Sequence, residues 1–198
     1  MYRRRTRILT VVSTFVLAAC SSVQEGPAGQ VDQLREAALR GSAGNQVARL
    51  SQQARAPEAG SALRAELHGA LREEDSPEVV REMITVLSSA YRLAALPGDD
   101  YAETLVILLH KDDHAIQTYA LLGVEFAPQS VNAQVATTVA EGLMDSSWED
   151  WGSRLRWLRA LRATGDAGRA ALVDALATSD LTGTRREWYE DALDGWPN

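Results

Sequence analysis

The stretch Leu71-Arg-Glu-Glu-Asp-Ser-Pro-Glu-Val-Val-Arg81 decides the fold. It closes one run of helically spaced apolar residues, turns through acids and a Ser-Pro pair, and opens another. Ser76 stands where a side-chain oxygen can accept from the free amides of a helix start, and Pro77 where a missing N–H costs nothing. Before the turn, Leu63, Leu67 and Ala70 share one face; after it, Val80, Met83, Ile84, Leu87 and Tyr91 form a second stripe. Both stripes have the 3.6-residue period, so the stretch is the hinge of a helix pair predicted over residues 61–73 and 77–94.

Working outward, the same pattern returns three times, as pairs over 99–110 and 113–126, 130–144 and 148–164, and 167–178 and 184–194. Ser147-Trp-Glu-Asp150 and Thr184-Arg-Arg-Glu187 fit capping boxes, and Pro97-Gly98 and Pro128 separate helices. No run alternates as a strand would, so the expected class is all-α. Val80-Arg81, Ile116-Gln117 and Leu155-Arg156 recur 36 and then 39 residues apart, near the period of helix-pair solenoids. On Leu71–Arg81 above all, the chain resembles HEAT-like repeats, with a leucine, an acidic proline turn and a Val-Arg second helix. Asp113-His-Ala-Ile-Gln keeps the turn but lacks Pro and Arg. The resemblance implies an α-solenoid of about four repeats within residues 61–198, against the competing reading of an irregular all-α bundle. Residues 31–60 are expected to form an N-terminal helical cap of one or two helices.

The N-terminal end reads differently. Arg3, Arg4, Arg5 and Arg7 precede an uncharged stretch from Ile8 to Ala19, then Cys20, the only cysteine. Twelve residues are too few to span a hydrocarbon core, which takes about 20, and a charged start with a short apolar run and small-residue exit describes a secretory signal. Leu17-Ala18-Ala19-Cys20 resembles the lipobox of bacterial lipoproteins. The resemblance implies a signal peptide over 1–19 and lipidation of Cys20, with two or three acyl chains holding the protein to the membrane. Ser21, where an aspartate would mark inner-membrane retention, implies the outer membrane with the domain facing the periplasm. Residues 20–30, small and polar with Gly and Pro, read as a tether.

Without residues 1–19 the balance falls to sixteen Lys or Arg against twenty-seven acids, a formal net charge of −11. Such a chain is not built for general nucleic-acid binding, which needs a dominant positive surface. A lipidated cysteine also leaves no thiol for a disulfide, redox pair or metal site.

No H-E-x-x-H, G-x-S-x-G, P-loop or G-x-G-x-x-G is present, so no enzymatic activity and no cofactor is expected. His110-Lys-Asp-Asp-His114 is the one cluster with metal-ligand chemistry, through His110, Asp112, Asp113 and His114. Helix-terminus electrostatics account for the same residues without a metal. Acids recur at each intra-pair turn (Glu73, Glu74 and Asp75; Asp112 and Asp113; Asp145, Glu149 and Asp150; Asp180), an acidic ridge if the turns stack.

All five tryptophans fall in the C-terminal half. Trp148 and Trp151 share the stripe of Leu155 and Leu158 and are expected in the core. Trp157 lies off it among Arg154, Arg156 and Arg159; with Arg185, Arg186 and Trp188 these form a candidate partner-binding patch, Arg and Trp being dominant hot-spot residues. Packing of Trp157 against a neighbouring repeat is the competing reading. The expected function is thus a membrane-anchored scaffold that binds an envelope protein through its repeat surface. The rival is a ligand-binding or metal-dependent hydrolytic lipoprotein with a pocket between repeats.

Overall fold

The computed structural model describes residues 26–196, all of whose regular elements are helical. The lipobox and Cys20 lie outside the described residues. Among the described residues ten α-helices follow in order: α1 (Pro27–Leu39), α2 (Gly44–Ala54), α3 (Ser61–Glu73), α4 (Pro77–Ala94), α5 (Asp99–Leu109), α6 (His114–Phe126), α7 (Ala133–Asp145), α8 (Trp151–Ala163), α9 (Asp166–Thr178) and α10 (Thr184–Asp194). A 3-10 turn, Pro128–Ser130, joins α6 to α7.

The hinge quoted above separates α3 from α4 at the predicted residues. Its capping differs. The Ser76 hydroxyl donates to Glu78 Oε2 at 3.0 Å instead of accepting from the helix, and Glu74 Oε1 accepts from the Ser76 amide. The two expected capping boxes also resolve otherwise. Asp150, not Ser147, caps α8 by accepting from the Ser153 amide. Gly183, with φ 60°, precedes α10, so Thr184 is already its first helical residue. Asp113 and Asn132 do cap, accepting from the amides of Ala115, Ile116 and Val135. Residues 27–30, expected in the tether, are the first turn of α1. Pro27 opens that helix, and Gln30 and Val31 are already buried.

Packing follows two rows. Within one, α1 touches α3, α3 touches α5, α5 touches α7 and α7 touches α9; within the other, α2 touches α4, α4 touches α6 and α6 touches α8. α1 and α2 pack on α3 and α4. The longest helix, α4, meets α1, α2, α3 and α6 and is buried on most of its circumference, from Val79 and Val80 through Met83, Leu87 and Tyr91. One contiguous apolar cluster runs from Val31 to Trp196. Close approach needs glycine at helix contacts: a Cβ on Gly123 would meet the Tyr101 hydroxyl at 2.7 Å, and one on Gly142 would overlap the Trp157 ring.

The charge divides by row. Helices α1, α3, α5, α7 and α9 hold eleven acids and four arginines, whereas α2, α4, α6 and α8 hold three acids and seven arginines.

Candidate functional site

The expected Arg/Trp patch does not form as one surface. The buried face of α8 runs through Arg154, Trp157, Leu158 and Leu161, not through Trp151 and Leu155, which are 51% and 37% exposed. Trp157 is 6% exposed and fills the space left by Gly142 on α7. It is therefore unavailable to a partner. Arg156 and Arg159 turn to α6 instead, donating to Thr118 Oγ1 at 3.0 Å and Glu125 Oε2 at 2.8 Å. Arg186 pairs along its own helix with Glu190.

The remaining three residues do meet, around a cation. Arg154 is 4% exposed, and its guanidinium carbon lies 3.9 Å from the Trp148 ring centre, 5.0 Å from Trp151 and 5.3 Å from Trp188. Trp188 stands edge-on to Trp148, Trp151 and Tyr189, and the Arg185 guanidinium carbon lies 5.4 Å from a Trp148 ring centre. Arg154 Nε and Nη1 have no hydrogen-bond partner, so the ring faces are what balance the buried charge; a desolvated cation–π contact contributes about 2 kcal/mol or more. The Tyr189 hydroxyl, its pKa raised by burial, donates to Leu143 O at 3.2 Å. This cluster fastens α10 to the turn between α7 and α8. Arginine at a core position is why the helical stripe of α8 is misphased in the sequence.

The His110–His114 turn is capping, as helix-end electrostatics predict. His110 Nδ1 donates to Val106 O at 2.7 Å, which leaves Asp113 to cap α6. Lys111 Nζ donates to Glu74 O and Asp75 Oδ1 at 2.6 and 2.7 Å, tying one intra-pair turn to the next. Among the described residues, no three His, Cys, Asp or Glu converge as metal ligands. His110 and His114 instead line a cleft of about 340 Å³ with Glu141, Asp145 and Asp150.

No protein-family model, curated protein or solved structure matches the chain. Among the described residues, no helix is long and apolar enough to cross a membrane.

A further surface lies where α4 meets α6. A groove of about 280 Å³ runs between them, floored by Ile84, Ser88, Tyr119 and Leu122 and edged by Leu93 and Phe126. Leu93 and Phe126 are 60% and 49% exposed. Arg81 and Arg92 line it from α4, and Arg55, at the end of α2, donates to Ser89 Oγ on its wall at 2.6 Å. The sequence carries a signal for one edge of this groove: Leu93 is a large apolar residue outside the stripe of its own helix.

Proposed function

We propose that the protein is a membrane-anchored interaction scaffold, held through lipid on Cys20 and binding an envelope protein through the surface of a HEAT-like α-solenoid. The observation that carries this reading is the α4–α6 groove, where large apolar side chains stay in solvent between arginines on a well-packed helical frame. Buried cores use such residues; left exposed together beside polar rims, they mark interaction sites. The solenoid reading is supported by the two-row packing and by ties between neighbouring units. Arg35–Glu74, His68–Thr104, Lys111–Asp75, Arg156–Thr118 and Arg159–Glu125 join residues 34 to 39 apart, close to the spacing of the second-helix landmarks. Each unit touching only its neighbours yields an extended face.

The test is photocrosslinking in the native envelope with probes at Phe126, on the groove, and at Asp112, on an intra-pair turn. A discrete heavier band from Phe126 is expected; no adduct from either position in lipidated protein overturns the scaffold. The anchor is tested separately by palmitate labelling, which Cys20→Ser should abolish. A second reading, a small-ligand lipoprotein, draws on the cleft holding His110 and His114. Its three carboxylates suit a cationic or polyhydroxylated ligand better than an anionic one.

A further inference from the structure

We infer that the α4–α6 groove docks an acidic segment of a protein partner, one that inserts large apolar side chains beside Leu93 and Phe126 and meets Arg92 with a carboxylate. This rests on the scaffold reading above and names the chemistry of its partner.

Charge is the first argument. The chain is acidic overall, with a formal net charge of −7, yet the α2–α4–α6–α8 row holds seven arginines against three acids. Of those acids, Glu82 and Glu125 have side chains only 16% and 11% exposed, and each is spent on an arginine beside it. Arg55 and Arg92 make no ion pair among the described residues, and Arg55 Nε is buried without a hydrogen-bond partner. Cations left without carboxylates beside an apolar groove want carboxylates from outside, and a matched potential also speeds encounter.

Shape is the second. A groove of about 280 Å³ falls just below the size range for small-molecule pockets, roughly 300–1,000 Å³, and suits one or two inserted side chains. Arg81 and Arg92 are eleven residues apart on α4, which at about 1.5 Å per residue separates them by ~16 Å along the axis, three helical turns. That separation leaves room for one or two apolar side chains of an amphipathic segment, with Arg92 open to its carboxylates and Arg81 already held by Glu82. It does not match a membrane surface, which is met by a dense cluster of about four to eight cations.

The test uses the full chain in detergent micelles and a displayed library of random peptides, followed by fluorescence anisotropy with the enriched ones. Enriched peptides should be acidic and carry Leu, Phe or Trp. Their binding should weaken with salt and fall at least about tenfold in Arg92→Glu and in Phe126→Ser, while Glu66→Ala on α3 leaves it unchanged. Both positions are exposed, and thermal melts check that the variants fold; Arg92→Gln and Leu93→Ser replace any that do not. Absence of enrichment, peptides without acidic character, or full binding by the variants each overturns the inference. So does competition by phosphatidylglycerol vesicles, or self-association in sedimentation that the same substitutions abolish, since the occupant would then be lipid or a second copy. If the peptides fail while Phe126 stays silent and Asp112 crosslinks, the groove is lost but the scaffold survives; if neither position crosslinks, both are lost.

Discussion

The α3–α5 interface and the α7–α10 end each bury polar aromatics, and they balance the cost in opposite ways. At the first, His68 is 4% exposed and neutral. Thr104 spends its hydroxyl proton on Asp100 O at 2.9 Å, so His68 Nδ1 must donate to Thr104 Oγ1, 3.0 Å away. Nε2 then accepts from the Tyr91 hydroxyl at 2.8 Å. Tyr91 stacks on Tyr101, whose hydroxyl pairs with Ser88 Oγ at 2.7 Å. Every polar atom of the imidazole is satisfied and nothing is charged. At the second, Arg154 stays charged, two of its nitrogens find no hydrogen bond, and three indoles stand in for counter-ions. One end is held by directional neutral bonds, the other by broad ring faces that tolerate adjustment.

The largest effect expected is at Trp157. Trp157→Ala should cost about 3–5 kcal/mol, the range for a buried aromatic replaced by alanine, measured by chemical denaturation. Gly142→Ala, which places a methyl against the same ring, should cost about 1–3 kcal/mol by overpacking. Trp151→Ala, on the exposed side, should cost much less than either. Equal losses at Trp151 and Trp157 would mean that the C-terminal end is held by its aromatic surface and not by the α7–α8 contact.

Next comes the neutral network. Burial pushes the His68 pKa down to about 4, Arg72 and Arg64 push the same way and Asp100 opposes them. The unfolded chain, with an ordinary value near 6.5, then takes up a proton that the folded one refuses. The His68 contribution is complete above pH 6.5 and is lost as pH falls towards 4, by about 3 kcal/mol over the window. His68→Gln cannot titrate and should flatten that slope. An unchanged slope in the variant would place acid sensitivity elsewhere and erase the contrast between the two ends.

Much of this was legible in residues, though not evenly. The bounds of α3 and α4 coincide with the spacing of their apolar stripes, because Leu, Val and Ile at core positions obey the helical period without ambiguity. The starts of α7 and α8 shift inward by three residues, since Pro128–Ser130 spends residues on a 3-10 turn and Asp150 outcompetes Ser147 as the cap. The patch was misassembled for one reason: Arg154 reads as surface, so Trp151 and Leu155 seemed to continue the core stripe and Trp157 seemed to leave it. A cation neutralised by indoles on other segments has no local signature. The groove was missed because its two walls come from helices in different pairs, and only their packing puts Leu93 beside Phe126.

At the charged end, Arg154→Lys keeps the charge but loses the flat guanidinium that lies 3.9 Å from the Trp148 ring centre. A compact, strongly hydrated ammonium stacks poorly on an indole, and the loss should be about 1–2 kcal/mol. The change should also appear as a shift in tryptophan emission as water reaches Trp148 and Trp188. Full stability in the lysine variant would show that charge alone, without planar stacking, holds α10.

The smallest effect separates both ends from the ties between them. Lys111 bridges two turns through Glu74 O and Asp75 Oδ1, but the Asp75 side chain is 91% exposed. Coulomb attraction there is screened by water, and exposed pairs contribute about 0–1 kcal/mol. Asp75→Asn should therefore change stability by less than about 0.5 kcal/mol, because the Lys111 bond to the Glu74 carbonyl survives. Lys111→Met removes both bonds and leaves that carbonyl to water, so it should cost more than Asp75→Asn while staying well below Trp157→Ala. If Asp75→Asn instead matches Arg154→Lys, the turn-to-turn ties couple the units as strongly as their cores do, and the two ends cannot be treated as independent.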